Sequence, residues 1–480
     1  MTETCSAHAD DKLHQPMSSS VSQPFLHRLM PVRRSEIAAT LWAFAYFFCL
    51  LSSYYVIRPV RDEMGIQGGV ENLPQLFTAT FVAMLAAVPL FGWASSKFPR
   101  RKLLPLVYLF FAANLMVFYA LMQTGVSPGR IAQAFFVWVS VFNLFVVSVF
   151  WSFMADLFRN EQARRLYGFI SAGGSLGALA GPLLAATFAL AIGPANLLLV
   201  SAALLCATVL CIYRLADWSA RNPAERRSPP VKVEEPIGGG ILAGVSLVLK
   251  SPYLLGICIY VMLGTLLGTF LYFHQANIVA VEIAGPAERT ALFAKIDLAV
   301  NALTLLCQLF VVGRLIGRFG VGSTLMILPL AGAVGFFVLG VSPTLAVLVV
   351  FQVIRRAGEY AIARPAREIL FTVLNREEKY KAKNVIDTVV FRGGDAVSSW
   401  LFEGLRMLGF GFAGIAFVGV PIALLWAGTG WMLGRSQDEM RARNEAIRRP
   451  VEQTRQPGPA QDAARPGAGQ PADNANPLVG

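Results

Sequence analysis

The sequence reads as an all-α membrane protein with twelve transmembrane helices in two six-helix pseudo-repeats. Three observations lead there. Hydrophobic residues make up 55% of the 480 and charged residues 15%, with a mean hydropathy of +0.56, which soluble domains do not reach. Twelve apolar runs of about 20 residues are each long enough to cross a hydrocarbon core of roughly 30 Å. Features of the first half also return in the second: Gly92 and Lys97-Phe98 as Gly313 and Arg318-Phe319, and Gly173-Gly174 as Gly393-Gly394, at separations of 220 to 221 residues.

The first six spans run approximately from Ile37 to Ile57, Leu73 to Trp93, Leu103 to Met122, Ile131 to Met154, Leu166 to Leu190 and Ala195 to Tyr213. The second six run from Pro252 to Tyr272, Ala291 to Gly313, Ser323 to Val341, Thr344 to Ala363, Asn384 to Gly409 and Phe412 to Leu433. The chain then divides into an N-terminal tail (1–35), a first half (36–213), a central loop (214–250), a second half (251–433) and a C-terminal tail (434–480). That last tail is rich in Arg, Pro, Gln and Ala and is expected to be disordered. The N-terminal residues lack an apolar core followed by a small-residue cleavage site, so the first span is expected to stay as an anchor.

A formal net charge of +12 would suit nucleic acid if it formed a patch, but its distribution follows the membrane instead. About 32 of the 41 Lys and Arg residues fall in the tails, the central loop and the loops joining even to odd spans. Arg58, Arg61, Arg130 and Arg289 fall on the other side. Both termini are therefore expected in the cytoplasm, with the lipid bilayer, not nucleic acid, as the surroundings. The six cysteines show no paired spacing, and three of the four histidines lie in the N-terminal tail, so no disulfide framework, metal site or cofactor is expected. Nothing resembles an HExxH or GxSxG site, which argues against a membrane enzyme. A monomer is expected.

Two similar six-helix halves suit a transporter working by alternating access, because rocking one half against the other exposes a central site to each side in turn. The charges within spans indicate where that site lies. From Lys379 to Arg406 the chain is apolar enough to cross a bilayer yet carries Asp387, Arg392, Asp395, Glu403 and Arg406. At about 100° per residue, with Asp387 as zero, the other four fall at about 80° to 160°, on less than half of the helix. Facing lipid, each would cost roughly 3 kcal/mol, so this face is expected to line a polar interior or to lock helices through pairs such as Arg392 and Asp395. In or flanking the spans, seven basic residues (Arg58, Arg61, Lys295, Arg355, Arg356, Arg392, Arg406) balance seven acidic ones (Asp62, Glu63, Asp297, Glu359, Asp387, Asp395, Glu403).

At the end of span 1, Arg58 and Arg61 stand at i,i+3, a spacing suited to clamping a phosphate or carboxylate, or equally to anchoring at the headgroups or pairing with Asp62 and Glu63. In span 5, Gly168, Gly177, Gly181 and Pro182 mark either a close helix contact or a mechanistic bend.

Gly92, Lys97, Arg100 and Arg101, with Gly313, Arg318 and Gly320, resemble the paired basic loops of the major facilitator superfamily, Ser96 and Gly317 standing where that family has Asp. The glycines of span 5 resemble the G-x8-G-x3-GP-x2-GG pattern of exchangers in the same superfamily, with Ala185-Ala186 for the last two glycines. A more specific resemblance is to the ATP/ADP translocases of plastids and intracellular bacteria. It rests on Tyr55 to Asp62, on Phe150-Trp151-Ser-Phe153, on Pro365-Ala-Arg367-Glu368 and on Lys381-Ala-Lys383-Asn-Val-Ile386-Asp387. Arg61 stands where that family has a functionally important lysine, and Asn143 is the nearest polar residue to its acidic position in span 4.

The resemblance implies exchange of nucleotides or another phosphorylated metabolite. Arg58, Arg61, Lys295, Arg355 and Arg392 are expected to contact the anionic cargo. Asp62, Asp297, Glu359, Lys383, Asp387, Asp395 and Glu403 are expected to form gating ion pairs. The alternative is a proton-coupled symporter or exporter of another organic solute, in which an acid such as Asp387 titrates; a scaffold that no longer transports would tolerate loss of Arg58 and Arg392.

Overall fold

The computed structural model describes residues 33–98, 100–222 and 241–455; most of the expected N-terminal tail, the middle of the central loop and the end of the C-terminal tail lie outside them. The described residues are helical throughout, without strands. The helices are α1 (Arg34–Gln67), α2 (Leu73–Lys97), α3 (Arg100–Thr124), α4 (Pro128–Leu157), α5 (Asn160–Ile192) and α6 (Pro194–Arg221). They continue as α7 (Ile241–Lys250), α8 (Pro252–Glu282), α9 (Pro286–Phe310), α10 (Val312–Val341), α11 (Leu345–Gly358) and α12 (Arg364–Leu370). The last three are α13 (Arg376–Val385), α14 (Phe391–Met407) and α15 (Phe412–Arg455).

Local chemistry sets many of these starts. Pro128, Pro194, Pro252 and Pro286 open α4, α6, α8 and α9, where a missing N–H is no loss. Ser251, Thr344 and Asn375 cap α8, α11 and α13 by accepting from the backbone N–H three residues on.

Among the described residues, ten helices are long and apolar enough to span a membrane. The two other expected spans differ from simple apolar helices. The stretch from Thr344 to Ala363 is α11 followed by a π-helical turn, Glu359–Ala363, that leads into α12. The stretch from Asn384 to Gly409 begins in α13, passes through a second π turn, Ile386–Val390, and continues as α14. Each interruption carries one acid, Glu359 in the first and the exposed Asp387 in the second, and a π turn widens the helix at such points. It also rotates everything beyond it, so the uniform 100° count places Asp387 wrongly with respect to Arg392 and Asp395.

The expected loops are also partly helical. α15 runs unbroken past Leu433 to Arg455, so the first part of the tail read as disordered is helix, held by Asn444 Nδ2 donating to the Val373 carbonyl at 3.1 Å. Part of the central loop forms α7, whose Gly244 sits against the Lys381 backbone of α13.

Two hydrophobic cores organise the bundle, one built mainly from α1 and α3 to α6, the other from α8 to α15. Within the first, α1 and α5 meet along Gly173, Gly177 and Gly181, one helical turn apart. A Cβ on Gly173 or Gly177 would stand 2.5 Å from the carbonyl oxygen of Phe44 or Phe48, and one on Gly181 would stand 2.6 Å from Tyr55 Cβ. Only glycine permits this approach. Gly168 is not part of the seam: a Cβ there meets nothing within 4 Å. The seam starts one turn later than the sequence pattern implies.

Candidate functional site

Helices from both cores line a cavity of about 440 Å³, of a size that holds a small-molecule ligand. α1 contributes Arg58, Arg61 and Asp62, and α4 contributes Phe136, Ser140 and Asn143. α8 adds Gly268, Thr269, Tyr272 and Gln275. α11 and its π turn bring Gln352, Arg355, Arg356, Glu359 and Tyr360; α12 brings Arg364 and Arg367; α14 brings Phe391, Arg392 and Asp395.

Several side chains are held by ties between the cores. Arg58 Nη1 donates to Asp297 Oδ1 at 3.0 Å, and Arg356 Nη2 reaches the same oxygen at 2.7 Å, as an ion pair without hydrogen-bond alignment. Asp297 is 1% exposed, so its charge exists there only because two guanidinium groups face it. Arg61 is fixed three ways: Nε donates to Ser140 Oγ at 3.0 Å, Nη1 to Asp62 Oδ1 at 3.0 Å, and its guanidinium lies 3.9 Å from the Phe136 ring centroid. Tyr272 Oη donates to Asp62 from the other core at 3.3 Å. Arg289 meets the fully buried Glu63 at 3.4 Å, and Trp400 Nε1 donates to Thr78 Oγ1 at 3.0 Å. All of these except Arg58 with Asp297 and Arg356 lie toward the end of the bundle where α1 finishes.

Of the residues expected to hold cargo, Arg58, Arg61, Arg355 and Arg392 share the cavity wall. Lys295 does not: it is exposed on α9, outside the lining. Its neighbours on the helix explain this, since Asp297 two residues on turns inward and the helix can present only one of them there.

The expected ionic residues fall into two groups. Asp62, Glu359 and Asp395 line the cavity, Asp395 accepting from Thr269 Oγ1 at 3.4 Å and facing Arg392 at 3.6 Å. Asp297 stands behind the wall, and Asp387 meets Arg367 at 3.1 Å without lining it. Lys383 pairs with Glu368 at 2.7 Å, and Glu403 with Arg406 at 3.4 Å, both away from the cavity.

The charge balance read from the sequence therefore does not describe the wall. Seven arginines line the cavity (Arg58, Arg61, Arg355, Arg356, Arg364, Arg367, Arg392) against three carboxylates (Asp62, Glu359, Asp395). Lys295 and Arg406 drop out, Arg364 and Arg367 join from α12, Glu63 and Glu403 pair away from the cavity, and Asp297 and Asp387 meet the lining arginines from behind the wall. The missed pair looked like an ordinary cytoplasmic loop. The signal available for Arg367 was its place in the Pro365-to-Glu368 resemblance; for Arg364 none is apparent. Tyr260, Tyr272 and Tyr360 were also missed, because a lone tyrosine in an apolar span reads as core.

Among known proteins, residues 43–358 match the family model described as Major Facilitator Superfamily. ADP,ATP carrier protein 1 of Chlamydia muridarum is 23% identical over 464 residues, covering 82% of this chain and 87% of that protein. ADP,ATP carrier protein 2 of Chlamydia trachomatis is 24% identical, covering 90% of this chain and 94% of that one. Among solved structures, an auto-inhibited POT family peptide transporter superposes with a TM-score of 0.59 at 14% identity, over 83% of this chain and 96% of its own. The nucleoside transporter NupG superposes with a TM-score of 0.54 at 14% identity, over 85% and 99%. At such identities the structural matches speak for the fold alone.

Proposed function

The chain belongs to the major facilitator superfamily, and from that premise we propose that it is a secondary active transporter that exchanges nucleotides, or another phosphorylated metabolite, by alternating access. The observation that carries the anionic cargo is the wall of seven guanidinium groups against three carboxylates. Guanidinium presents paired donors that match phosphate oxygens, and aromatic side chains such as Phe77, Phe136 and Tyr272 supply flat apolar surface beside them. The likeness to two chlamydial ADP,ATP carriers supports nucleotides in particular.

In this reading the two charged segments broken by π turns cross the membrane as bent spans, which completes twelve in two halves of six. Both termini lie in the cytoplasm of a bacterial cell, the protein sits in the inner membrane as a monomer, and it moves solute without altering it. The ties involving Glu63, Thr78, Arg289 and Trp400 then close the outer side, so the described conformation opens inward. Arg58, Arg61, Arg355 and Arg392 hold the cargo. The pairs of Asp62, Asp297, Glu359, Lys383, Asp387 and Asp395 rearrange between states, while Glu403 with Arg406 only anchors the outer end of α14.

Uptake of labelled ATP into proteoliposomes preloaded with ADP, with phosphate or with buffer tests this. Uptake stimulated only by ADP establishes exchange, and Arg61→Ala should then abolish it. Uptake that follows a pH gradient whatever is loaded would replace exchange with proton coupling.

A further inference from the structure

Six of the seven arginines on the cavity wall have a carboxylate at ion-pair distance: Arg58 and Arg356 with Asp297, Arg61 with Asp62, Arg364 with Glu359, Arg367 with Asp387 and Arg392 with Asp395. Arg355 has none among the described residues. The acid one turn along its own helix, Glu359, faces Arg364 at 3.7 Å. The neighbouring Gln352 is turned to Gln275, to which its Nε2 donates at 2.6 Å. The Arg355 side chain is half-buried, and its Nε is buried without a hydrogen-bond partner.

Its position is set by what faces it. The guanidinium lies against Gly268 on α8, where a Cβ would stand 3.0 Å from Nη1 and 3.4 Å from Nη2. A methyl group at 268 would make the guanidinium give by a few tenths of an ångström, and a larger side chain would displace it further. Leaving a guanidinium with a buried Nε and no ion-pair partner is costly, and the protein supplies an ion-pair partner to every other arginine of the wall.

We propose that Arg355 is the specificity-determining anion anchor of the cavity, reserved for a phosphate group of the cargo, and that Gly268 is its positioning residue. This deepens the transport reading given above and rests on it. Arg58, Arg61 and Arg392 hold the cargo while each keeps a carboxylate of its own, whereas Arg355 is the one whose partner must arrive with the cargo. Because no carboxylate forms an ion pair with it in the empty site, Glu359 and Asp395 acting on it only from beyond that distance, the occluded empty carrier is disfavoured and return is coupled to a second anion, which makes exchange obligatory.

The test compares Arg355→Gln, Arg356→Gln and Gly268→Ala in the full-length protein, by thermal shift in detergent with ATP, pyrophosphate or inorganic phosphate as probes, and by uptake into proteoliposomes. Arg355→Gln should leave the empty protein as stable as wild type or more so, because it removes an unpaired charge, and should lose the probe-induced shift. Arg356→Gln should lower the melting temperature of the empty protein, because it takes a partner from Asp297. Gly268→Ala should raise KM about two- to threefold with little change in maximal rate, and Gly268→Val should raise it more. Arg355→Lys should restore part of the shift, since it keeps the charge and not the fork.

A probe-induced shift in Arg355→Gln equal to that of wild type would overturn the proposal, as would an empty Arg355→Gln protein less stable than Arg356→Gln. A wild-type protein stabilised by pyrophosphate and not by ATP, with the shift lost in Arg355→Gln, would keep Arg355 as anchor and discard nucleotides. No shift by any of the three anions in folded wild-type protein would overturn both.

Discussion

Along the seam of α1 and α5, backbone lies on backbone: Gly173, Gly177 and Gly181 leave no room for a Cβ, and no charge takes part. Along the wall from α11 to α14, the contacts are long side chains, arginine to carboxylate at distances from 2.7 to 3.7 Å, and two π turns interrupt the helices that carry them. The seam has one arrangement, because close backbone contact has no slack. The wall is of a kind that can take several, because an ion pair can exchange partners and a π turn can return to α. One bundle thus joins a stiff element to an adjustable one, and the cavity lies where both contribute.

The sharpest way to break this contrast is at Asp297. Replacing it with Ala leaves Arg58 and Arg356, 16% and 9% exposed, facing each other without a counter-charge, and should cost about 3–5 kcal/mol. Thermal denaturation in detergent measures it; a loss under about 1 kcal/mol would mean the ionic wall is hydrated and carries no structural load.

The seam should fail for a different reason. Gly177→Val drives a side chain into the Phe48 carbonyl and should destabilise by about 1–3 kcal/mol or more, whereas Gly168→Val on the same helix should not measurably change stability. Equal effects of the two, read by melting temperature or folded yield on size exclusion, would remove the seam from the comparison.

Deleting Ala361 from the first π turn sharpens the adjustable side. A π turn is one residue longer than the α turn it replaces, so the deletion should leave a folded, regular helix. Transport in proteoliposomes should fall about tenfold, equivalent to about 1.4 kcal/mol in the barrier, with the melting temperature unchanged or raised. Unaltered transport would assign the π turn to packing alone.

The smallest effect is expected where the contrast does not apply. Glu403 and Arg406 are 21% and 38% exposed and pair away from the cavity, so Glu403→Gln should change stability by less than about 1 kcal/mol and leave uptake intact. A loss of uptake would return this pair to the site.

Composition and periodicity by themselves determined that this chain is a helical membrane protein, because about 20 consecutive apolar residues have no other stable use and the positive residues outside them set the expected sidedness. They also picked out Arg58, Arg61, Arg355 and Arg392, since a charge in an apolar span has a large and local cost that needs no knowledge of neighbours. Partners were a different matter. That Asp297 serves two arginines from different helices, that Glu63 turns to Arg289 and that Lys295 points away depends on which helix faces lie together. Two of these pairings, Arg58 with Asp297 and Glu63 with Arg289, join residues more than 200 positions apart, and no local pattern encodes them. The two π turns were hidden for a related reason: five residues of Glu359–Ala363 or Ile386–Val390 read as ordinary helix, and nothing local marks the extra residue accommodated there. The same holds for the wall's positive surplus, which appears only once the tertiary structure has decided which arginines and which acids share a surface.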